Sequence, residues 1–268
     1  MSKMSLCFVA EGSRMVLRPC TERRHPVRPL ANTPTVKLRI VKQYPHDPTA
    51  FTQGLALTPN GKTYYESTGL YGRSTVREVD LLTGRVLRSR PLPTNHFGEG
   101  ITLLPSGGLV QLTWREQVAH VYGTNFTTGS VAQFTWPREG WGITYTANKL
   151  IISDGSSTLY FVQAIAPYKT QSMLIVRERV NGQLRPVVRL NELEMVGGDL
   201  YANIWQERRI AVIDITTGIV KRWLDLSLLP VNSNPDAVLN GIAYHPASNR
   251  LFVTGKLWSW MYEVEVPV

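Results

Sequence analysis

The sequence predicts an all-β fold, a five-bladed β-propeller, on three observations. Helical periodicity is nearly absent from Val36 onward. Short β-rich runs alternate there with turn signals. One strand–turn–strand pattern recurs five times: T-Q-G-L-A-L-T-P-N-G-K-T-Y-Y-E-S-T-G (52–69), G-E-G-I-T-L-L-P-S-G-G-L-V-Q-L-T-W (98–114), G-W-G-I-T-Y-T-A-N-K-L-I-I-S-D-G (140–155), L-N-E-L-E-M-V-G-G-D-L-Y-A-N-I-W (190–205) and L-N-G-I-A-Y-H-P-A-S-N-R-L-F-V-T-G-K (239–256). The anchor positions Gly54, Gly100, Gly142, Glu192 and Gly241 are spaced by 46, 42, 50 and 49 residues.

Each repeat opens as a hairpin, because Pro, Asn, Ser or Gly interrupts two β-rich runs. A second hairpin turn follows in several repeats, at D-L-L-T-G (80–84), N-F-T-T-G (125–129) and D-I-T-T-G (214–218). Four strands in about 45 residues is the size of a propeller blade. The last repeat ends at W-M-Y-E-V-E-V without a fourth strand. The segment V-K-L-R-I-V-K-Q-Y (36–44) is available to supply it and to remove a free sheet edge. The competing reading is a β-sandwich with coincidental repeats. Residues 36–268 are assigned to the propeller and residues 1–35, with Pro19, Pro26, Pro29 and Pro34, to a mobile extension.

Composition narrows the function classes. Net charge is +9, with residues 1–36 contributing six basic and two acidic side chains, hence +4, and the rest +5. No basic helix or RNA-binding strand motif accompanies the charge, so no nucleic-acid partner is expected. No apolar stretch reaches the roughly 20 residues of a membrane span, and a monomer without membrane association is expected. Both cysteines, Cys7 and Cys20, precede the propeller, which therefore has no thiol nucleophile. The apolar run in M-S-K-M-S-L-C-F-V-A-E-G is short for an export signal and stops at Glu11. The five histidines are scattered without metal-ligand spacing, so no metal or other cofactor is expected. Seven Trp and eleven Tyr supply flat amphipathic surface.

In a propeller the first strand of each blade lines the channel and the second returns beside it. The start of one and the end of the other thus share a rim. The residues before the anchors are Gln53, Glu99, Trp141, Asn191 and Asn240; the second strands are read as ending at Glu66-Ser67-Thr68, Trp114, Asp154-Gly155-Ser156, Trp205 and Lys256. Two such rings make a cup of indoles with a few polar groups, the composition of a small-molecule or peptide-end site. Glu99, in N-H-F-G-E-G-I-T (95–102), is the one carboxylate of the first ring, and Gly98 and Gly100 read as leaving space for a substrate beside it. S-D-G-S-S (153–157) offers a serine, but no histidine stands at an equivalent position to activate it.

F-T-Q-G-L (51–55), E-S-T-G-L-Y-G-x-S (66–74), F-G-E-G-I-T (97–102), Q-L-T-W (111–114), G-W-G (140–142), S-D-G-S-S-x-L (153–159), L-N-E-L-E (190–194), Y-A-N-I-W-Q (201–206), L-N-G-I-A-Y (239–244) and F-V-T-G-K-x-W (252–258) resemble the glutaminyl-peptide cyclotransferases of plant and bacterial type, in order over about 37–266. The resemblance implies a five-bladed propeller and a metal-independent acyltransferase. Its reaction cyclises the N-terminal glutamine of peptides and proteins to pyroglutamate and releases ammonia. It implies Glu99 as the catalytic carboxylate and Gln53, Trp114, Trp141, Asn191, Trp205 and Lys256 as pocket residues. Lys256 and Asn191 are candidate donors to the γ-oxygen. Asn240, Glu66 and Asp154 are added as expected substrate contacts from their rim positions, and Phe51 from the F-T-Q-G-L motif. Members of this type usually enter a secretory or periplasmic compartment. Two other readings use the same cup: a non-catalytic propeller that binds a peptide or sugar, and a hydrolase or lactonase with a metal held by Glu66, Glu99 and Asp154.

Overall fold

The computed structural model describes residues 6–11, 14–19, 32–230 and 233–266. Two compact units are separated at Leu30 and Ala31. In the first, Leu6–Glu11 pairs antiparallel with Arg14–Pro19; most of the expected extension lies outside the described residues.

The second unit is a five-bladed β-propeller of four-stranded antiparallel sheets. Blade 1 runs Thr52–Leu57, Thr63–Thr68, Thr75–Asp80 and Val86–Pro91. Blade 2 runs Gly98–Leu103, Leu109–Thr113, Val118–Tyr122 and Ser130–Thr135. Blade 3 runs Ile143–Thr146, Lys149–Ser153, Thr158–Gln163 and Thr170–Ile175. Blade 4 runs Leu190–Val196, Asp199–Ile204, Arg209–Asp214 and Val220–Asp225. Blade 5 runs Leu239–His245, Arg250–Gly255 and Trp260–Glu265. The expected closing segment is divided. Ile40–Pro45 pairs antiparallel with Trp260–Glu265, as the fourth strand of blade 5. Thr35–Lys37 pairs parallel with Val220–Asp225 and adds a fifth strand to blade 4. Thr33, placed by sequence in the extension, donates its N–H to Arg179 O at 2.9 Å. Arg179 belongs to an unanticipated hairpin, Arg177–Val180 with Gln183–Pro186, which lengthens the spacing between the third and fourth anchors.

The middle strands read as continuous apolar runs because both faces of each blade are covered. Side chains alternate across a strand, so neighbours in sequence enter different interfaces. Ile210 and Val212 pack between blades 4 and 5, and Ala211 and Ile213 between blades 3 and 4. Five buried clusters result, one per interface. Fully burying each such Ile, Leu or Val stabilises the fold by about 1.5–3 kcal/mol.

The glycines serve this packing at the axis. A Cβ on Gly100 would stand 2.7 Å from Trp141 O, and one on Gly98 2.6 Å from Thr68 O. They admit neighbouring backbone rather than a substrate, which corrects the sequence reading. Glu192, at the fourth anchor, instead bridges blades across the axis. Its carboxylate oxygens accept Leu55 N at 3.2 Å and Ile242 N at 2.8 Å.

Glu66 is fully buried at the interface of blades 1 and 5, not in the cup. It accepts hydrogen bonds from Thr52 Oγ1 (2.7 Å) and Arg77 Nε (2.8 Å) and pairs with His46 Nε2 (2.9 Å). Burial alone would raise its pKa, but Arg77, then His46 and Thr52, hold it down at about 2. A depressed folded-state pKa stabilises the fold above the ordinary carboxylate range and is lost as pH falls through the folded value. Glu66→Ala leaves Arg77 with Asp47 as its remaining ion partner and His46 with only Trp258 O, and is expected to destabilise by about 3–5 kcal/mol. The measurement is urea unfolding at neutral pH; a wild-type midpoint would show that the network adds no stability.

Candidate active site

The first ring is built by β-bulges. In blade 2 the pairs Gly98–Thr113 and Ile101–Gln111 enclose two residues, Glu99 and Gly100, opposite Leu112 alone. Equivalent shifts occur at Gln53, at Asn191–Glu192 and at Asn240–Gly241. A bulge bends its strand and re-aims a side chain. Here it turns Gln53, Glu99 and Asn191 into a cavity of about 280 Å³, joined by Trp141 from the entry to blade 3. The second ring contributes Trp114, Trp205 and Lys256, each directly after its strand. Their N–H groups donate to Phe97 O (3.0 Å), Arg189 O (2.9 Å) and Val238 O (2.9 Å). Phe51 completes the sequence-anticipated lining.

Three expected contacts are placed elsewhere. In blade 1 the second-ring position is Gly69, not Glu66, and Phe97 takes the space beside it. Asp154 occupies the equivalent position in blade 3, but its carboxylate accepts from Ser156 Oγ (2.6 Å) and Tyr160 Oη (2.9 Å). Gly155 follows at φ +79°, and a Cβ there would stand 2.6 Å from the Trp141 ring. Asn240 is fully buried below the cavity. Its Nδ2 donates to Thr52 O at 3.0 Å and to Gln53 Oε1 at 3.2 Å. Glu66, Glu99 and Asp154 therefore do not converge as the metal-hydrolase reading requires.

Other lining residues were not singled out by sequence: Phe97, Leu70, Gln206, Pro235, Asp236 and Val238. A signal existed for two of them. Counting two residues back from the first ring gives Phe51, Phe97, Glu139, Arg189 and Val238, and alternation puts these on the same rim. Leu70 and Gln206, at φ 85° and 66°, reach the cavity through left-handed turns after the second strands.

The hydrogen bonds fix the direction of the amides. Thr52 O can only accept, so Asn240 presents Nδ2 and Gln53 presents Oε1 to it. Gln53 Nε2 is then left to donate to Glu99 Oε1, at 2.9 Å. Glu99 is 5% exposed and Lys256 6%. Burial pushes the Glu99 carboxyl well above the usual range; Lys256 opposes this, and Glu139 and Glu116 add to it. Burial pushes Lys256 down, opposed by Glu99 and Asp236. The Lys256 ammonium also lies 4.6 Å from the Phe51 ring centroid. Trp141 and Trp205 meet edge to face at 5.7 Å and 88°. A carboxyl poised towards neutrality, a cationic donor and an apolar wall together can move a proton and stabilise a developing oxyanion. Among the described residues, no group of three or more His, Cys, Asp or Glu is placed to hold a metal.

Known proteins resemble this chain over most of its length. The family model for glutamine cyclotransferase matches residues 13–266. A glutaminyl-peptide cyclotransferase of Arabidopsis thaliana is 39% identical over 236 residues, which cover 86% of this chain and 71% of that protein. The crystal structure of Myxococcus xanthus glutaminyl cyclase superposes with a TM-score of 0.76 at 36% identity, over 86% of this chain and 97% of that one. With a family match across nearly its whole length, this chain belongs to the glutamine cyclotransferase family.

Proposed function

We propose that the cup performs the family's reaction, with Glu99 as the proton carrier and Lys256 and Asn191 as donors to the oxyanion. The enzyme cyclises N-terminal glutamine of peptides and proteins to pyroglutamate and releases ammonia. The α-amine nitrogen attacks the γ-carboxamide carbon of the same residue. A C–N bond forms and the carbonyl oxygen takes up the electron pair. The attacking nitrogen passes its proton to Glu99, the original carboxamide C–N bond breaks, and the same proton leaves on ammonia. Both nitrogens sit in one residue, so holding the side chain folded back supplies much of the acceleration.

The observation that carries these roles is the Asn240–Gln53–Glu99 relay. It occupies Glu99 Oε1, which leaves Oε2 for the proton. A raised pKa brings the carboxyl nearer those of the amine and ammonia, so transfer in either direction is less uphill. The indoles hold the aliphatic part of the glutamine and exclude water. The rest of the polypeptide leaves through the mouth.

Substrate form tests the reading. A peptide with free N-terminal glutamine is expected to release ammonia, and its N-acetylated counterpart is expected to be inert. Ammonia release from the acetylated peptide would indicate amide hydrolysis and overturn it. Because the proposed steps use only side chains of this chain, prior chelation is expected to leave the rate unchanged. A chelator-sensitive rate restored by zinc would contradict this.

A further inference from the structure

Glu139, which does not line the cavity, sits two residues before Trp141 in the ring of Phe51, Phe97, Arg189 and Val238. One of its oxygens, Oε2, accepts both Trp114 Nε1 at 2.9 Å and Trp141 Nε1 at 3.0 Å. The other, Oε1, accepts Arg115 Nε at 3.0 Å. The Arg115 guanidinium lies 3.7 Å from the Trp114 ring centroid. Two indoles from different blades are therefore tied to one carboxylate. Trp114 meets Phe97 at 5.5 Å and Trp141 meets Trp205, so the tie reaches four aromatic lining residues. An indole has a single donor. Both donors are taken here, so these two rings offer a substrate no N–H.

We infer that Glu139 is a positioning residue of the reaction: it holds Trp114 and Trp141 as one wall and keeps a negative charge beside the site. Its ionised state is consistent with its surroundings. Burial would raise its pKa, but hydrogen bonds from Trp141, Trp114 and Arg115 hold it below the ordinary range. The charges acting on Glu99 are Lys256, Glu139 and Glu116; Asp236 acts on Lys256 from the mouth. Removing the Glu139 charge makes Glu99 easier to ionise. The second half of the inference rests on Glu99 as proton carrier; the first does not.

Two full-length variants test it, with pH profiles of kcat/KM, steady-state KM and kcat, and the near-ultraviolet circular dichroism of the indoles. In Glu139→Gln the amide oxygen still accepts the indoles. The near-ultraviolet signal is expected to persist, while the acid limb of the profile moves down by about 0.5–1 pH unit. In Glu139→Ala the wall loses its tie. The indole signal is expected to change and KM to rise about tenfold or more. An acid limb unmoved in Glu139→Gln overturns the electrostatic half. A wild-type KM and indole signal in Glu139→Ala overturn the positioning half. If Glu139→Ala does not fold, Glu139→Met keeps the bulk of the side chain and removes the acceptor of both indoles; a wild-type KM and indole signal there overturn positioning, and a raised KM with a changed signal supports it. Should Glu99→Gln remain active, the proton-carrier role falls, and the wall assignment is still decided by KM and the indole signal.

Discussion

Glu99→Gln is expected to lower kcat/KM about 10³-fold while leaving the protein folded, with a thermal midpoint at or above that of the wild type. General acid–base catalysis contributes typically about 10²–10⁴-fold, and in the proposed mechanism one group serves both proton steps. Folding should not suffer, because burial already penalises the charge on Glu99. A glutamine of the same shape removes that penalty. The amide can still present an oxygen to Gln53 Nε2. The pH profile carries the same argument. Protonated Glu99 cannot take the proton of the amine, so activity falls as pH drops through its pKa. Because that pKa is raised, the acid limb should lie above the usual carboxylate values of about 4. Retention of more than about a tenth of wild-type turnover at the optimum would remove Glu99 from the chemistry.

Lys256→Met is expected to lower kcat by about 10²–10³ with a smaller change in KM, the size seen on removing one oxyanion donor. Methionine keeps an apolar stem of similar reach against Phe51, so packing is preserved while the donor is lost. Burial lowers the Lys256 pKa. The ammonium form, which donates, is therefore lost at a pH below the ordinary lysine value of about 10.4, and kcat should fall on that alkaline limb. An unchanged kcat with a raised KM would mean that Lys256 binds the ground state and transition state equally.

The blade count was legible in sequence because each blade repeats one hairpin with glycines where backbones meet. The rim was legible for the same reason: Gln53, Glu99, Trp141 and Asn191 share one register and reach one cavity. What sequence could not show was the bulge in four of the blades. A two-against-one pairing leaves no mark on composition, yet it decides which of two adjacent residues faces the cup. Asn240 therefore supports Gln53 from below. Glu66 misled because E-S-T carries a carboxylate close to a strand end. The strand continues to Thr68, and at Glu66 the side chain faces the interface of blades 1 and 5. Asp154 is at the right register but closes its own turn through Ser156. Glu139, in W-P-R-E-G-W (136–141), carries no sequence signal of its own. Its role depends on two indoles that converge only after the ring closes.

The most direct test of the cup as a cyclising site is a paired measurement on wild-type enzyme with a dipeptide bearing free N-terminal glutamine. Ammonia released and α-amine remaining are followed together. Cyclisation consumes one amine for each ammonia formed, so the two are expected to change one for one. Ammonia appearing with the amine retained would mean hydrolysis to glutamate, and no ammonia at all would mean a binding platform; either result would contradict the account.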